Sequence, residues 1–365
     1  MLKKFANLLV NYCINASRGD EVRVSATYEA MPLVRELWLE LIKNNAYPHL
    51  NMVDEVLDEV FYKYSGDELL RHVSKIDKFI YENVNASISI ISSTHTKHLV
   101  NVDPERIKSR SQAVRVLNEI FIRRDADGSL RWTVTIFPTK ALAQEAGMSL
   151  ITYEDFLYKA LKLYEDDVVS AWRKQTEYQA KIIKLLESVS ELRYFGDGVD
   201  LTLRVDGRKW INDDGRKNMP GGEVYTAPIE DSVEGFITFT YPAIWRGVEV
   251  EGIKLIFKRG VVVDASAVKG EPFLRKILSV DEGSRRVGEI AFGLNYGIDS
   301  FTKQILLDEK IGGTIHLALG SAYSTTGGTN RSAIHWDLIR DMRGSKIFAD
   351  GDLIYSDGKF LSEVT

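Results

Sequence analysis

Five residues of the types that bind divalent metal ions lie in the second half of the 365-residue chain. They are Glu223, Glu289, His316, His335 and Asp337. Carboxylates can bridge two divalent ions about 3.5–4 Å apart, and imidazoles complete each coordination shell. The set is therefore suited to a two-metal hydrolase. The chain's one cysteine argues against a structural zinc site built from thiolates.

The two histidines stand in strand-like segments. His335 and Asp337 are two residues apart, so in a strand their side chains point to the same side and could bind the same cation. The alternative is a surface strand with its polar side chains outward. His316 lies inside an apolar stretch closed by glycines, where it could equally be a core histidine bonded to a backbone carbonyl.

The two glutamates have different surroundings. Glu223 follows Pro-Gly-Gly, a turn in which glycines allow close backbone approach, but it could also be the exposed start of a strand. Glu289 is flanked by apolar residues and glycines. A buried carboxylate is costly unless it is paired or binds metal, so this context favours a function for Glu289.

The elements around these residues predict two domains. In residues 1–190, helical and strand patterns alternate, which favours an α/β domain with a helix-flanked, mostly parallel sheet. One helix is predicted over 104–120. Residues 191–365 form short strand-like segments separated by repeated Asp-Gly turns, and one strand is predicted over 248–257. This half is predicted to be a β-rich α+β domain that carries the metal site.

Composition excludes several classes of protein. The net charge of −5 provides no basic field for nucleic acid. The longest apolar runs fall far short of the roughly 20 residues of a membrane helix, and the N-terminus is not typical of a signal peptide. With one cysteine and no disulfide framework, we expect a cytoplasmic protein that binds neither nucleic acid nor membrane.

Four segments resemble the thermophilic metalloaminopeptidase family typified by aminopeptidase T, aminopeptidase S and PepS. Their order and approximate spacing match, and the segments are 218–228, 288–295, 316–323 and 335–339. The resemblance is specific over about 197–357 and general in the first half. It implies an enzyme that removes N-terminal amino acids from peptides with a free N-terminus. It also implies two divalent ions, typically zinc or cobalt, and a homodimer. Manganese equally suits carboxylate and imidazole ligands.

The resemblance also assigns roles to residues. Glu223, Glu289, His316, His335 and Asp337 match the family's metal ligands, and Tyr323 matches a tyrosine of its catalytic centre. As a hypothesis, a metal-bridging hydroxide attacks the scissile carbonyl and Tyr323 donates a hydrogen bond to the developing oxyanion. One metal would polarise the carbonyl and the other anchor the α-amine. Glu289 is favoured as the bridging ligand, although the sequence leaves either glutamate possible.

Three other classes of protein share some of these features. A two-metal phosphoesterase uses the same ligand types, but a phosphate-binding G-x-x-x-x-G-K loop is missing from the sequence. A non-catalytic metal-binding protein would not need all five candidate ligands. A nucleotide-binding enzyme would be expected to carry G-x-G-x-x-G after a strand of the first half, and it does not.

Overall fold

The computed structural model describes residues 1–245 and 247–362. Two compact units can be distinguished, one made of 1–169 and 215–219 and the other of 170–214 and 220–365. Among the described residues, no helix is both long and apolar enough to cross a bilayer. The predicted domain boundary after residue 190 stays a prediction.

The first unit is built on a parallel sheet of five strands. Its order is β2-β1-β3-β4-β8, and every neighbouring pair is parallel. Alternate residues of β1 and β3 are buried and the residues between them are partly or fully exposed, so one face of the sheet is more fully buried than the other. The strands are β1 Glu21–Ala26, β2 Tyr47–Met52, β3 Ala86–Ile91, β4 Arg131–Ile136 and β8 Asn218–Met219.

Nine α-helices of the described residues belong to this unit. They are α1 Leu2–Asn7, α2 Met31–Lys43, α3 Glu55–Tyr64, α4 Asp67–Arg71, α5 Lys75–Asn83, α6 Pro104–Ala113, α7 Arg115–Ala126, α8 Lys140–Glu145 and α9 Leu150–Ala160. A π-helix, Leu8–Cys13, continues α1, and a 3-10 turn, Tyr28–Ala30, precedes α2. The prediction of a single helix over 104–120 is wrong, because the helix is interrupted at Val114, which caps the end of α6 and the start of α7.

The second unit is dominated by antiparallel strands. An eight-stranded sheet has the order β14-β13-β10-β6-β5-β18-β19-β20, and β11 and β12 form a separate pair. The strands are β5 Glu191–Gly196, β6 Val199–Arg204, β10 Glu234–Thr238, β11 Ala243–Trp245, β12 Val248–Val250, β13 Lys254–Lys258, β14 Val261–Ser266, β18 Lys346–Ala349, β19 Asp352–Ser356 and β20 Lys359–Phe360. The single strand predicted over 248–257 is wrong, since a turn at Gly252, with φ 62°, separates β12 from β13.

A second antiparallel sheet of this unit has the order β17-β16-β15-β9-β7. Its strands are β7 Ile211–Asp213, β9 Glu223–Thr226, β15 Val287–Gly293, β16 Thr314–Gly320 and β17 His335–Asp341. The helices of the unit are α10 Val168–Leu186, α11 Glu271–Ile277 and α12 Ile305–Asp308, and 3-10 turns lie at Gly283–Arg285 and Ser324–Thr326. The first two residues of α10 belong to the first unit. The predicted fold class, a helix-flanked parallel sheet followed by a β-rich α+β half, is confirmed.

Candidate metal centre

All five predicted ligands lie on one face of the antiparallel five-stranded sheet β17-β16-β15-β9-β7. In an antiparallel ladder, directly paired residues project to the same side, as do residues two apart in one strand. Asp337 pairs with Ala318, and Ala318 pairs with Glu289. The neighbouring row pairs His316 with Ala291, and the alanines leave room between the longer side chains. Glu223 lies on the same face because it pairs with Gly293, and His335 because it pairs with Gly320.

The opposite face of this sheet is apolar and belongs to the core of the unit. It is formed by the residues that alternate with the ligands, and these are fully or almost fully buried: Val224, Ile290, Phe292, Ile315, Leu317, Leu319, Trp336 and Leu338. The alternation therefore fixes the register, because a slip of one residue would bury the carboxylates in the core. Hydrophobic packing on one side holds the polar residues in place on the other.

A β-bulge at Gly288 places Glu289 on the polar face. The register shifts between Val287 and Glu289, so Val287 faces the core beside Leu319 while Glu289 faces the ligands. In a regular strand, residues 287 and 289 would share a face. A Cβ at position 288 would lie 2.3 Å from the carbonyl oxygen of Gly320, so the bulge requires glycine.

The turn before β9 also depends on a close backbone approach. Gly222 has φ 120°, and a Cβ there would lie 2.5 Å from Cβ of Asn295. The amide of Gly222 donates to the carbonyl of Asp213, and its carbonyl accepts from Leu294. The prediction that Pro-Gly-Gly permits close contact is confirmed, and Glu223 is buried rather than exposed.

The functional atoms of the predicted ligands converge. One ligand atom each from Glu289, His316 and Asp337 lies within 4.8 Å of the others. Nε2 of His316 is 3.1 Å from Oε1 of Glu289 and 3.7 Å from Oε2 of Glu223. Nε2 of His335 is 3.4 Å from Oδ1 of Asp337 and 3.8 Å from Oε2 of Glu289. The five side chains thus form one connected cluster, with Glu289 between the two histidines.

Backbone carbonyls orient both imidazoles. Nδ1 of His316 is 3.1 Å from the carbonyl oxygen of Glu309, and Nδ1 of His335 is 2.8 Å from that of Ser321. Since a carbonyl oxygen can only accept, each Nδ1 carries the proton, and each Nε2 is directed at the carboxylates. Metal-binding histidines are commonly held in this way.

The electrostatics of the cluster reflect crowded, buried carboxylates. Burial raises the pKa of Glu223 well above its ordinary value and also raises the pKa of Glu289. Burial alone would lower the pKa of His316, but its hydrogen bond with Glu289 and the negative charges around it raise that pKa to about 10. The pKa of His335 is likewise raised to about 9, against the effect of burial, by Asp337 and Glu289. Without metal, protons on the imidazoles therefore supply part of the positive charge that the carboxylates need.

Two carboxylate oxygens test whether a cation fits here. Oε2 of Glu223 and Oε2 of Glu289 are buried and have no hydrogen-bond partner within the described part of the chain. An unsatisfied buried carboxylate oxygen is unfavourable, and a divalent cation is a natural partner for it. Together with two Nε2 atoms oriented towards the same space, the donor set fits a transition-metal centre.

A fully buried lysine, Lys310, lies at the edge of the cluster, and nothing in its sequence context indicated a role there. Its Nζ is 3.4 Å from Oδ2 of Asp213 and 3.4 Å from Oε1 of Glu223, and it also contacts Oε1 of Glu309. Lys310 follows Asp308-Glu309, so in sequence the segment has the pattern of an exposed, charged loop. The signal that would have identified Lys310 is three-dimensional, because Asp213 is almost 100 residues away in the chain.

Two tyrosines stand beside the cluster. The ring of Tyr323 is 5.1 Å from the ring of His335 and 5.9 Å from that of Tyr225, and half of its surface is exposed. Tyr225, two residues after Glu223 in β9, was not identified from the sequence. Burial and the nearby carboxylates raise the pKa of both phenols, so both hydroxyls keep their protons at neutral pH and can donate hydrogen bonds.

Comparisons with known proteins agree over nearly the whole chain. The family described as "Thermophilic metalloprotease (M29)" matches residues 1–360. Aminopeptidase 2 of Geobacillus stearothermophilus is 29% identical, over 98% of this chain and 95% of that protein. Aminopeptidase T of Thermus aquaticus is 28% identical, over 88% and 85%. The structure of wild-type AmpT from Thermus thermophilus superposes with a TM-score of 0.85 at 24% identity, over 99% and 98%, and shows a shared fold.

Proposed function

The chain belongs to the thermophilic metalloprotease (M29) family, and on that premise we propose that it is a metal-dependent aminopeptidase that releases N-terminal amino acids from peptides. Relatives that it matches over most of their length carry the name aminopeptidase. The observation that carries the proposal in this chain is the convergence of Glu289, His316 and Asp337, with ligand atoms within 4.8 Å of one another. Glu223 and His335 complete the proposed ligand set.

Formal charge supports a centre with two divalent ions. The cluster holds three carboxylates, and two more contact Lys310 at its edge. The ammonium of Lys310 neutralises one of these five, which leaves −4 when both histidines are neutral. Two divalent cations would balance that charge. Zinc, cobalt and manganese all suit carboxylate and imidazole ligands. The five carboxylates are those of Asp213, Glu223, Glu289, Glu309 and Asp337.

Glu289 is the proposed bridging ligand. Its Oε1 faces Nε2 of His316, whereas its Oε2 faces Nε2 of His335. A carboxylate whose two oxygens point to two different histidines can serve two ions at once. Glu223 lies on the His316 side and Asp337 on the His335 side, so each ion would receive one further carboxylate.

When bound, two divalent ions supply a Lewis acid for the scissile carbonyl and lower the pKa of water. The chain's own contribution is to hold the ligands on a rigid sheet and to place a hydrogen-bond donor beside them. Tyr323 is the proposed donor to the developing oxyanion, since its ring lies 5.1 Å from the ring of His335 and its raised pKa keeps the hydroxyl protonated. Removing one such donor costs roughly 10²–10³ in kcat. We expect a loss in this range for Tyr323→Phe, measured on a metal-loaded enzyme whose metal content is unchanged.

Two further proposals are a homodimer, which the resemblance supports, and a cytoplasmic location, which the single cysteine supports. Sedimentation equilibrium of the purified chain tests the first, because a homodimer would have twice the 41.3 kDa chain mass. A single species at the chain mass would contradict it.

The function is tested by release of p-nitroaniline from Leu-p-nitroanilide and its N-acetylated form, before and after chelation. We expect cleavage of the free-amine substrate, loss of activity with chelator, and recovery on adding zinc, cobalt or manganese. Cleavage of the acetylated substrate at an equal rate would contradict an aminopeptidase. Hydrolysis of p-nitrophenyl phosphate without peptidase activity would agree with the proposed metal centre but would show that the enzyme is a phosphoesterase.

A further inference from the structure

A cavity of about 150 Å³ borders the proposed metal centre within the second unit. His335 and Asp337 form part of its lining, and the rest includes Ile244, Phe301 and Ile305. Two larger cavities of the same unit, of about 620 and 400 Å³, border none of the five proposed ligands. Contact with the ligands, rather than size, therefore singles out this cavity.

The chemistry of an aminopeptidase requires a space in this position. The scissile carbonyl carbon is bonded directly to the Cα of the substrate's first residue, and that Cα carries the first side chain. A carbonyl held at the metal centre therefore brings this side chain into contact with the walls nearest the ligands. The cavity meets that requirement because two ligands, His335 and Asp337, are themselves part of its wall.

The lining determines which side chains fit. Eight of its twelve residues are apolar: Pro242, Ala243, Ile244, Trp245, Phe301, Ile305, Trp336 and Ile339. An apolar cavity of roughly 150 Å³ can hold a benzene-sized group. This is enough room for a leucine, methionine or phenylalanine side chain.

The two other charged groups of the lining already have partners. Nζ of Lys303 is 3.0 Å from Oε2 of Glu249. Oδ1 of Asp308 accepts hydrogen bonds from the amide and the hydroxyl of Thr302, at 2.7 and 2.8 Å. Neither group is therefore oriented as a dedicated partner for a charged substrate side chain.

We propose that this cavity receives the side chain of the substrate's N-terminal residue and selects apolar and aromatic side chains up to the size of phenylalanine. The inference rests on the proposed aminopeptidase function and adds its substrate class. Ile244 of β11 is the wall residue best suited to test it, because it is only partly buried and pairs with Glu249 across a two-stranded ribbon. A change of size there perturbs the core less than a change at the buried Ala243 or Trp336.

The test changes the size of the cavity in both directions at one position. Ile244→Phe should fill it and lower kcat/KM for Leu- and Phe-p-nitroanilide by roughly 10–200-fold, the range for one or more methylenes in an apolar pocket. Activity towards Ala-p-nitroanilide should change far less, because an alanine methyl group does not fill the cavity. Ile244→Ala should enlarge the cavity and shift the preference from Leu towards Phe and Trp. The matched controls are Ile256→Phe and Ile256→Ala on β13, at a partly exposed isoleucine outside the cavity lining.

Each outcome decides one point. The pocket is supported if the Leu-to-Ala ratio of kcat/KM falls in Ile244→Phe and the Phe-to-Leu ratio rises in Ile244→Ala. Both ratios should stay constant in the two Ile256 variants. An active wild-type enzyme whose ratios are unchanged in both Ile244 variants overturns the pocket and leaves the aminopeptidase function standing. A wild-type preference for Lys or Arg over Leu overturns the apolar selectivity. A metal-loaded wild-type enzyme without aminopeptidase activity overturns the proposed function and the pocket together.

Discussion

Each histidine of the proposed centre has one ring nitrogen held by the backbone and the other directed at carboxylates. From the sequence, His316 had two alternative interpretations, a core histidine bonded to a carbonyl or a metal ligand. The structure shows that these are compatible, because Nδ1 meets the carbonyl of Glu309 while Nε2 faces Glu289. Residue types and order predicted which side chains meet, but the partners of each ring atom depend on distant segments of chain.

Lys310 is the residue whose role could be derived only from the structure. It is buried against Asp213, Glu223 and Glu309, and removing its charge would leave these carboxylates poorly compensated. We expect Lys310→Met to lower the free energy of unfolding by about 3–5 kcal/mol in the metal-free protein, the range for breaking a buried ion pair. Urea denaturation in the presence of a chelator measures this loss.

The matched control for this change is Lys269→Met. Lys269 also pairs with a glutamate, Glu251, but 60% of its side chain is exposed, so we expect the substitution to change the free energy of unfolding far less than Lys310→Met does. Equal destabilisation by the two substitutions would show that the buried ion pairs of Lys310 stabilise the fold no more than an exposed pair does.

Asp308 gives the prediction for pH. Burial raises the pKa of Asp308 from 3.8 to about 7, despite its hydrogen bonds from Thr302. Between these values the folded protein keeps a proton that the unfolded chain releases, so the contribution to stability falls as pH rises from about 4 to about 7. At about 1.4 kcal/mol per pKa unit, the loss amounts to at most about 4 kcal/mol.

Asp308→Asn removes this titration and keeps an oxygen that can accept from Thr302. The stability of the wild-type protein relative to this variant should therefore decline over the same pH range, as measured by urea denaturation in the presence of a chelator at several pH values. Asp299→Asn, at an exposed carboxylate, is the control and should follow the wild-type profile. A constant difference between wild type and Asp308→Asn from pH 4 to 8 would show that Asp308 titrates as an ordinary carboxylate.

At the scale of elements, a single extra residue in β15 places Glu289 on the same face as the other proposed ligands. The bulge at Gly288 turns Glu289 towards the ligands while Val287 stays in the core. We expect Gly288→Ala to force the bulge to shift, since its Cβ would meet backbone oxygens of Gly320 and Ser321 at 2.3 and 2.7 Å. Displacing a residue that orients a ligand typically lowers metal affinity by about 10–100-fold. Calorimetric titration with zinc measures this loss.

The control is Gly66→Ala, at a glycine with open space around its Cβ position and no left-handed backbone angle. Zinc affinity should be unchanged in that variant. Wild-type affinity in Gly288→Ala would mean that the bulge does not position Glu289.

Hydrophobic periodicity predicted most elements but not their interruptions. The apolar pattern of 104–120 continues through Val114, where the backbone leaves the helix, so a pattern of side chains alone could not reveal the break. Strand β2 went unpredicted because Pro48, His49 and Asn51 disrupt its pattern. Its place at the edge of the sheet explains why proline is tolerated there.

For the molecule as a whole, the sequence predicted the fold class but not the way the chain is divided. Residues 215–219 belong to the first unit, where Asn218 and Met219 pair with Val134 and Thr135 of β4. This pairing joins segments more than 80 residues apart, and a two-residue strand has too little pattern to predict it. The next residues of the chain return to the second unit and form the turn before Glu223.

The distribution of charge is also a property of the whole chain that composition conceals. The net charge is −5, and the proposed centre alone holds a formal −4 with neutral histidines. The remainder of the chain is therefore close to neutral. A small net negative charge can thus come from one proposed cation site rather than from acidic residues spread over the surface.

The measurement that tests the proposed centre most directly is the zinc content and zinc affinity of the wild-type protein and of Glu289→Gln. Elemental analysis after dialysis should find two ions per wild-type chain and at most one in the variant, because an amide bridges two cations poorly. Circular dichroism should show that the variant keeps the wild-type fold. Wild-type content and affinity in Glu289→Gln, or no bound zinc in either protein, would contradict a two-metal centre built around this carboxylate.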